Sequence, residues 1–226
     1  MARILIVPGL SVRTYAKPTA AALERAGHRV TLLAAPAWRT ARADLPDYGR
    51  MLAQQLEERD EIADLVVGLS VGTQAAACAA AETDRIRRLM LISPTVDPVH
   101  RSFGKLMRRW SKGDSEGAPE KDGLQLHLGD WSHSGPIRIV TAVRSALRTP
   151  LEDVLMRVNA EVTMVHNQFD VLSTSAWVRS LAVDDAHFLE MAGAPHSWPV
   201  DDEDNFVEVV DQVLGAQQRD ESTSAG

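Results

Sequence analysis

Residues 64–81 of the chain have the sequence DLVVGLSVGTQAAACAAA. The run Leu65–Leu69 is apolar and rich in branched side chains, which predicts a strand buried on both faces. The alanine-rich segment Val71–Ala81 predicts a helix. Ser70 stands between them, inside the pattern Gly-Leu-Ser-Val-Gly at 68–72. A sharp strand-to-helix turn lifts such a hydroxyl above the sheet and places it beside the first N–H groups of the helix, so Ser70 is a candidate nucleophile.

Short apolar runs alternate with helix-length segments along the rest of the chain. Six runs predict strands, at Ile4–Val7, Val30–Ala34, Leu65–Leu69, Leu89–Ile92, Val162–His166 and Phe188–Met191. The segments between them predict helices, at about Tyr15–Ala26, Ala41–Glu58, Val71–Ala81, Pro136–Leu147, Ser173–Leu181 and Asp201–Leu214. This alternation requires crossover connections. The predicted fold class is therefore α/β, a single domain over residues 1–214 with a mostly parallel six-stranded sheet and helices on both faces.

Two segments break this alternation. Residues 95–135 show no strand pattern, and their first part has apolar residues at helical spacing, among them Phe103, Leu106 and Trp110. We expect an amphipathic helix and a loop inserted over the edge of the sheet as a lid. Residues 215–226 are small and polar, which predicts a flexible C-terminal tail.

Composition excludes several classes of protein. The 226 residues carry 24 Lys and Arg against 31 Asp and Glu, and a net charge of -7 argues against general nucleic-acid binding. Cys78 is the only cysteine, which excludes a disulfide framework and a cysteine-based zinc cluster. Neither a signal peptide nor an apolar stretch of about 20 residues is found, so we expect a cytoplasmic protein without a membrane span.

A serine hydroxyl needs a base, and the base needs an orienting acid. Asp170 follows the predicted strand Val162–His166, and His196 follows the predicted strand Phe188–Met191. The carboxyl ends of parallel strands share one edge, so both side chains can meet Ser70 there.

Together these residues resemble the α/β-hydrolase superfamily, in a short form without the first two strands of larger members. The resemblance spans Ala2–Leu214. It implies that Ser70 is the nucleophile, His196 the general base and Asp170 the orienting acid. Asp97, which follows the predicted strand Leu89–Ile92, is an alternative acid.

The loop after the first strand also resembles that of the superfamily. Pro8-Gly9-Leu10 stands where the oxyanion loop is expected, which makes the N–H groups of Leu10 and Val71 the implied oxyanion donors. The superfamily often has histidine at the place of Pro8 and glycine at the place of Asn167. We expect Asn167 only to change the path of its loop.

The sequence offers candidate residues for a substrate pocket and for a surface that binds a partner. Three tryptophans are candidates to line an acyl pocket: Trp110, Trp131 and Trp198. The lid also carries a basic stripe: Arg101, Lys105, Arg108, Arg109 and Lys112. The stripe fits either a solvated helix face or an anionic partner, such as a carrier protein or the phosphates of coenzyme A.

The resemblance implies hydrolysis of a small-molecule ester, thioester or lactone through an acyl-enzyme. It implies no metal and no organic cofactor. Two alternatives stay open: acyl transfer or thioester release on carrier-bound intermediates, and a non-catalytic ligand-binding protein on a hydrolase scaffold. Neither a nucleic acid nor a membrane is an expected partner.

Overall fold

The computed structural model describes residues 1–10, 16–37, 42–110 and 135–224. These residues form a six-stranded sheet in the order β2-β1-β3-β4-β5-β6, and every pairing in it is parallel. The strands are β1 (Arg3–Val7), β2 (Arg29–Leu32), β3 (Leu65–Leu69), β4 (Arg88–Ile92), β5 (Glu161–Asn167) and β6 (Phe188–Met191). The predicted α/β class and the six strands are confirmed.

Helices connect the strands as parallel pairing requires. Those in the described ranges are α1 (Lys17–Arg25), α2 (Leu45–Glu58), α3 (Val71–Ala80), α4 (Phe103–Trp110), α5 (Pro136–Arg148), α6 (Leu151–Leu155), α7 (Ser175–Leu181), α8 (Trp198–Asp201) and α9 (Glu203–Ser224). None of these described helices is both long enough and apolar enough to cross a bilayer.

The last helix differs from its prediction at both ends. It begins after Asp202, whose carboxylate accepts a hydrogen bond from the N–H of Asn205 at 3.2 Å and so satisfies a free donor of the first turn. It then continues to Ser224, through most of the segment 215–226. A flexible tail there stays a prediction.

The lid also stays a prediction. Residues 111–134 lie outside the described ranges, so only α4 and a short 3-10 turn at Pro98–His100 represent the lid segment.

The core consists of two layers, one on each face of the sheet. Along β1, Leu5 and Val7 pack with α2 and α3 on one face, whereas Ile4 and Ile6 pack with α1 and α9 on the other. Successive side chains of a strand point to opposite faces, and here both faces are covered. This is why the central strands β1, β3 and β4 appear in the sequence as largely continuous apolar runs.

The helix that follows Ser70 is fixed by a close contact with α2. A methyl group on Gly49 of α2 would lie 2.5 Å from the Cβ of Cys78 in α3, so only glycine fits there. Cys78 is buried, and burial raises the pKa of its thiol to about 12. The thiol is therefore an inert packing group at neutral pH.

We expect Gly49→Ala to destabilise the protein by about 1–3 kcal/mol, because the added methyl group must push α2 away from α3. Gly104→Ala is the matched control: it lies in α4, and no described heavy atom outside the backbone of that helix and the residues next to Gly104 stands within 4 Å of the added methyl group. Urea denaturation of both variants measures the difference. Equal stabilities would contradict the close contact of α2 with α3.

Candidate active site

Ser70 lies on a strained turn between β3 and α3. Its backbone has φ 55° and ψ -121°, a combination that side-chain-bearing residues rarely adopt. The N–H of Ser70 donates to the carbonyl oxygen of Ile92 at 3.0 Å, and its own carbonyl accepts from the Thr73 hydroxyl at 2.6 Å. These bonds hold the turn from both sides and leave the half-buried serine at the carboxyl edge of the sheet.

Three glycines allow the turn to close. A methyl group on Gly68 would lie 2.7 Å from the Cα of Thr73, and one on Gly72 would lie 2.5 Å from the carbonyl oxygen of Pro8. One on Gly9 would lie 3.3 Å from the Cβ of Ser70 and 3.8 Å from its Oγ. The loop after β1 therefore runs directly beside the serine hydroxyl.

The structure brings the three residues predicted from the sequence together. The Nε2 atom of His196 lies 3.1 Å from the Oγ of Ser70. On the other side of the ring, Nδ1 lies 3.1 Å from Oδ2 of Asp170. The imidazole is 27% exposed and the carboxylate is fully buried, so the chain of contacts runs from solvent into the protein.

Asp170 is held by its own loop. Its Oδ1 accepts from the N–H of Leu172 at 2.8 Å, and its Oδ2 accepts from the hydroxyl of Ser173 at 3.2 Å. Burial by itself raises the pKa of the carboxyl, but the nearby His196 and the Leu172 N–H outweigh it, and the pKa of Asp170 lies below its usual value. Asp170 is therefore a carboxylate at neutral pH.

Asp97, the alternative acid, is also buried, but its oxygens have other partners. Its Oδ1 accepts from the N–H of Val99 at 2.9 Å. Its Oδ2 accepts from both the N–H and the hydroxyl of Thr174, at 3.0 and 2.7 Å. Asp97 thus ties the segment after β4 to the segment after β5, whereas Asp170 is the acid that lies beside the Nδ1 atom of His196.

The two implied oxyanion donors belong to the two segments next to Ser70, the first turn of α3 and the loop after β1. Val71 is the first residue of α3, where the N–H has no partner within the helix. Leu10 is buried in the loop after β1. The approach of Gly9 to Ser70 brings this loop to the serine. The use of both groups as donors stays a prediction.

Of the three candidate pocket tryptophans, the structure describes the side chain of Trp198 alone. Trp198 is buried, its ring packs edge-on against Phe206 at 5.8 Å, and its Nε1–H donates to Asn205 at 3.1 Å. These contacts attach it to α9, and its place in a pocket stays a prediction. Trp110 ends α4, but its side chain lies outside the described part of the chain, as does all of Trp131.

The described residues offer no evident metal site. Among them, no group of three or more His, Cys, Asp or Glu side chains lies close enough together to hold a metal ion.

Asn167 has a larger part in the site than we expected from the sequence. It does not merely change the path of its loop, because its side-chain amide donates to the carbonyl oxygens of Pro195 and His196, at 2.8 and 3.4 Å. The only signal for this in the sequence is an amide side chain three residues before Asp170.

The lowered pKa of Asp170 makes stability depend on pH. The unfolded chain takes up this proton more readily than the folded one, so the stabilisation is complete above the unfolded pKa of about 3.9 and is lost as the pH falls through the folded value. Between about pH 5 and pH 2, wild type should therefore lose more free energy of unfolding than Asp170→Asn. Urea denaturation at several pH values tests this, and equal losses would contradict it.

Comparisons with known proteins concern the fold of the chain. No protein-family model matches the sequence, and no curated protein matches it. Solved structures do match. A hydrolase from Oleispira antarctica has a TM-score of 0.78 at 12% identity, with 95% of this chain and 91% of that chain covered.

Two further matching structures are of enzymes with a stated reaction. An esterase from Exiguobacterium antarcticum has a TM-score of 0.75 at 12% identity, with 95% of this chain and 92% of that chain covered. An enol-lactonase from Burkholderia xenovorans LB400 has a TM-score of 0.71 at 16% identity, with 94% and 91% covered. With its parallel sheet and the turn at Ser70, this chain has the α/β-hydrolase fold.

Proposed function

We propose that this protein is a serine hydrolase that cleaves a carboxylic ester, thioester or lactone through an acyl-enzyme intermediate. The observation that carries the proposal is the continuous contact from Ser70 through His196 to the buried Asp170, with 3.1 Å at each step. A serine, a base and a buried acid in this arrangement are what an activated nucleophile requires.

In the first step His196 acts as the general base. A carboxylate at Nδ1 favours the tautomer with the proton on Nδ1, which leaves the lone pair of Nε2 directed at Ser70. As the Oγ of Ser70 attacks the acyl carbon, its proton moves to Nε2. The charge of Asp170 then stabilises the imidazolium that forms.

The carbonyl oxygen of the substrate becomes an oxyanion in this step. The N–H groups of Val71 and Leu10 are the proposed donors to it, and one such donor contributes on the order of 3–4 kcal/mol in other hydrolases. When the tetrahedral intermediate collapses, the bond from the acyl carbon to the leaving group breaks. The imidazolium gives its proton to the departing alcohol or thiol, and the acyl group remains on Ser70.

Water completes the cycle. His196 takes a proton from the water as its oxygen attacks the acyl carbon, and returns the proton to Ser70 as the bond to Oγ breaks. The net reaction consumes one water and releases a carboxylic acid. The proposed steps need only protein groups and water.

The substrate classes follow from the nucleophile and from the neighbours. A serine forms an acyl intermediate with esters, thioesters and lactones alike. The esterase and the enol-lactonase named above support two of these classes for a scaffold of this shape.

The contacts of the basic stripe do not favour the carrier-protein alternative. Arg101 forms an ion pair with Glu152 at 2.5 Å, and Arg109 donates to the carbonyl oxygen of Val171 at 3.2 Å. These two members of the stripe therefore bind within the protein.

The proposal predicts that a fluorophosphonate adds one adduct to wild type and none to Ser70→Ala, because only an activated serine reacts. Asp170→Asn should slow the reaction greatly, by about 10⁴-fold in other triads, because the wrong histidine tautomer is favoured. Intact-mass spectrometry over time measures the rates. A screen of small esters, thioesters and lactones against wild type then identifies the class.

Asp97→Asn is the matched control for the acid. It replaces a buried carboxylate at the same edge of the sheet, and we expect it to slow labelling far less than Asp170→Asn does. If Asp170→Asn labels as fast as wild type, the role of the acid moves to Asp97. If folded wild type takes no adduct even from a small probe, the hydrolase mechanism is wrong and the ligand-binding alternative replaces it.

A further inference from the structure

The acid and the base of the candidate triad lie on two separate loops, one after β5 and one after β6. Backbone bonds join the loops: the N–H of Gln168 donates to Met191 at 3.1 Å, and the N–H of Phe169 donates to Ala194 at 3.0 Å. The N–H of Gly193 donates back to the side chain of Gln168 at 2.6 Å. These bonds join the two loops, but none of them involves His196.

Asn167 makes the connection that reaches the histidine. It is the last residue of β5 and is fully buried. Its main-chain carbonyl accepts from the N–H of Asp170 at 2.9 Å, which fixes the acid loop. Its Nδ2 donates to the carbonyl oxygens of Pro195 and His196, which fixes the base loop. A single residue therefore holds the backbones of both the acid and the base.

The orientation of the amide is determined by its surroundings. Two carbonyl oxygens face Nδ2, and a carbonyl cannot donate, so the NH₂ end of the side chain must point at them. The Oδ1 atom is buried without a hydrogen-bond partner among the described residues. An unpaired buried acceptor is costly, so the arrangement favours the two donated bonds at the expense of Oδ1.

We propose that Asn167 is a positioning residue that sets the distance between His196 and Ser70 by holding the backbone of the histidine loop. This inference rests on the proposed function, because it assumes that His196 is the base. Proton transfer needs the two atoms within about 3.2 Å, and a displacement of 1 Å can cost about 100-fold in rate. A donor that holds the loop carrying His196 therefore acts on the rate rather than on substrate binding.

Two variants remove the donor in different ways. Asn167→Asp keeps the shape but turns an oxygen toward the carbonyls of Pro195 and His196. Asn167→Leu keeps the branching and the number of heavy atoms, and it replaces both polar atoms, including the unpaired Oδ1, with methyl groups. For each folded variant we expect fluorophosphonate labelling and kcat to fall about 10- to 100-fold, with KM on the best ester of the screen changed less than twofold.

A control separates positioning from general loss of stability. Leu23→Ala removes a fully buried side chain in α1, outside both loops. It should lower Tm and leave the labelling rate and kcat of the folded protein unchanged. If Asn167→Asp does not fold, Asn167→Leu decides the question.

The outcomes distinguish this inference from the proposed function. If wild type is labelled and the folded Asn167 variants are labelled slowly, both the proposed function and the positioning role of Asn167 are supported. If wild type is labelled and either folded Asn167 variant is labelled at the wild-type rate, the positioning role alone is overturned. The same holds if the variants change only KM and leave kcat as in wild type. Unlabelled wild type overturns the proposed function, and the inference fails with it.

Discussion

Ser70 can keep its φ of 55° only because strand, helix and neighbouring loop approach one another without side chains between them. A residue in such a conformation costs about 1–3 kcal/mol and persists only where its surroundings impose it. Here Gly68 and Gly72 provide the space, and Gly49 lets α2 pack closely against α3. The position of every other group in the site is defined relative to this turn.

Positive φ angles recur at non-glycine residues along the carboxyl edge of the sheet. Ala37 follows β2, while Ser93 and Val96 follow β4, and all three have positive φ without being glycine. Among the non-glycine residues that the structure describes, only Asp60 has a positive φ away from this edge. Strained backbone is typical of functional edges, where rigid strands fix the loops. The two-layered core supplies the stability that allows four such residues at one edge.

The sequence allowed some parts of this site to be predicted and not others, for a physical reason. Ser70, Asp170 and His196 were predictable because each follows a strand, and parallel strands bring their carboxyl ends to one edge. The bond from Asn167 to the loop that carries His196 is not predictable from the sequence, because it depends on how two loops approach each other in space. The attachment of Trp198 to α9 was hidden in the same way, since a tryptophan fits a pocket and a core equally well.

Two buried aspartates at one edge illustrate how the surroundings divide the roles. Asp97 receives three hydrogen bonds from the backbone and hydroxyl groups of Val99 and Thr174. Asp170 receives two from its own loop, and its Oδ2 also faces His196. A carboxylate whose lone pairs are taken up by neutral donors holds segments together, whereas one that keeps an oxygen toward an imidazole can stabilise the positive charge that forms there. Asp97 also holds Thr174, which follows Ser173, and Ser173 donates to Asp170. Asp97 therefore supports the loop on which the proposed catalytic acid depends.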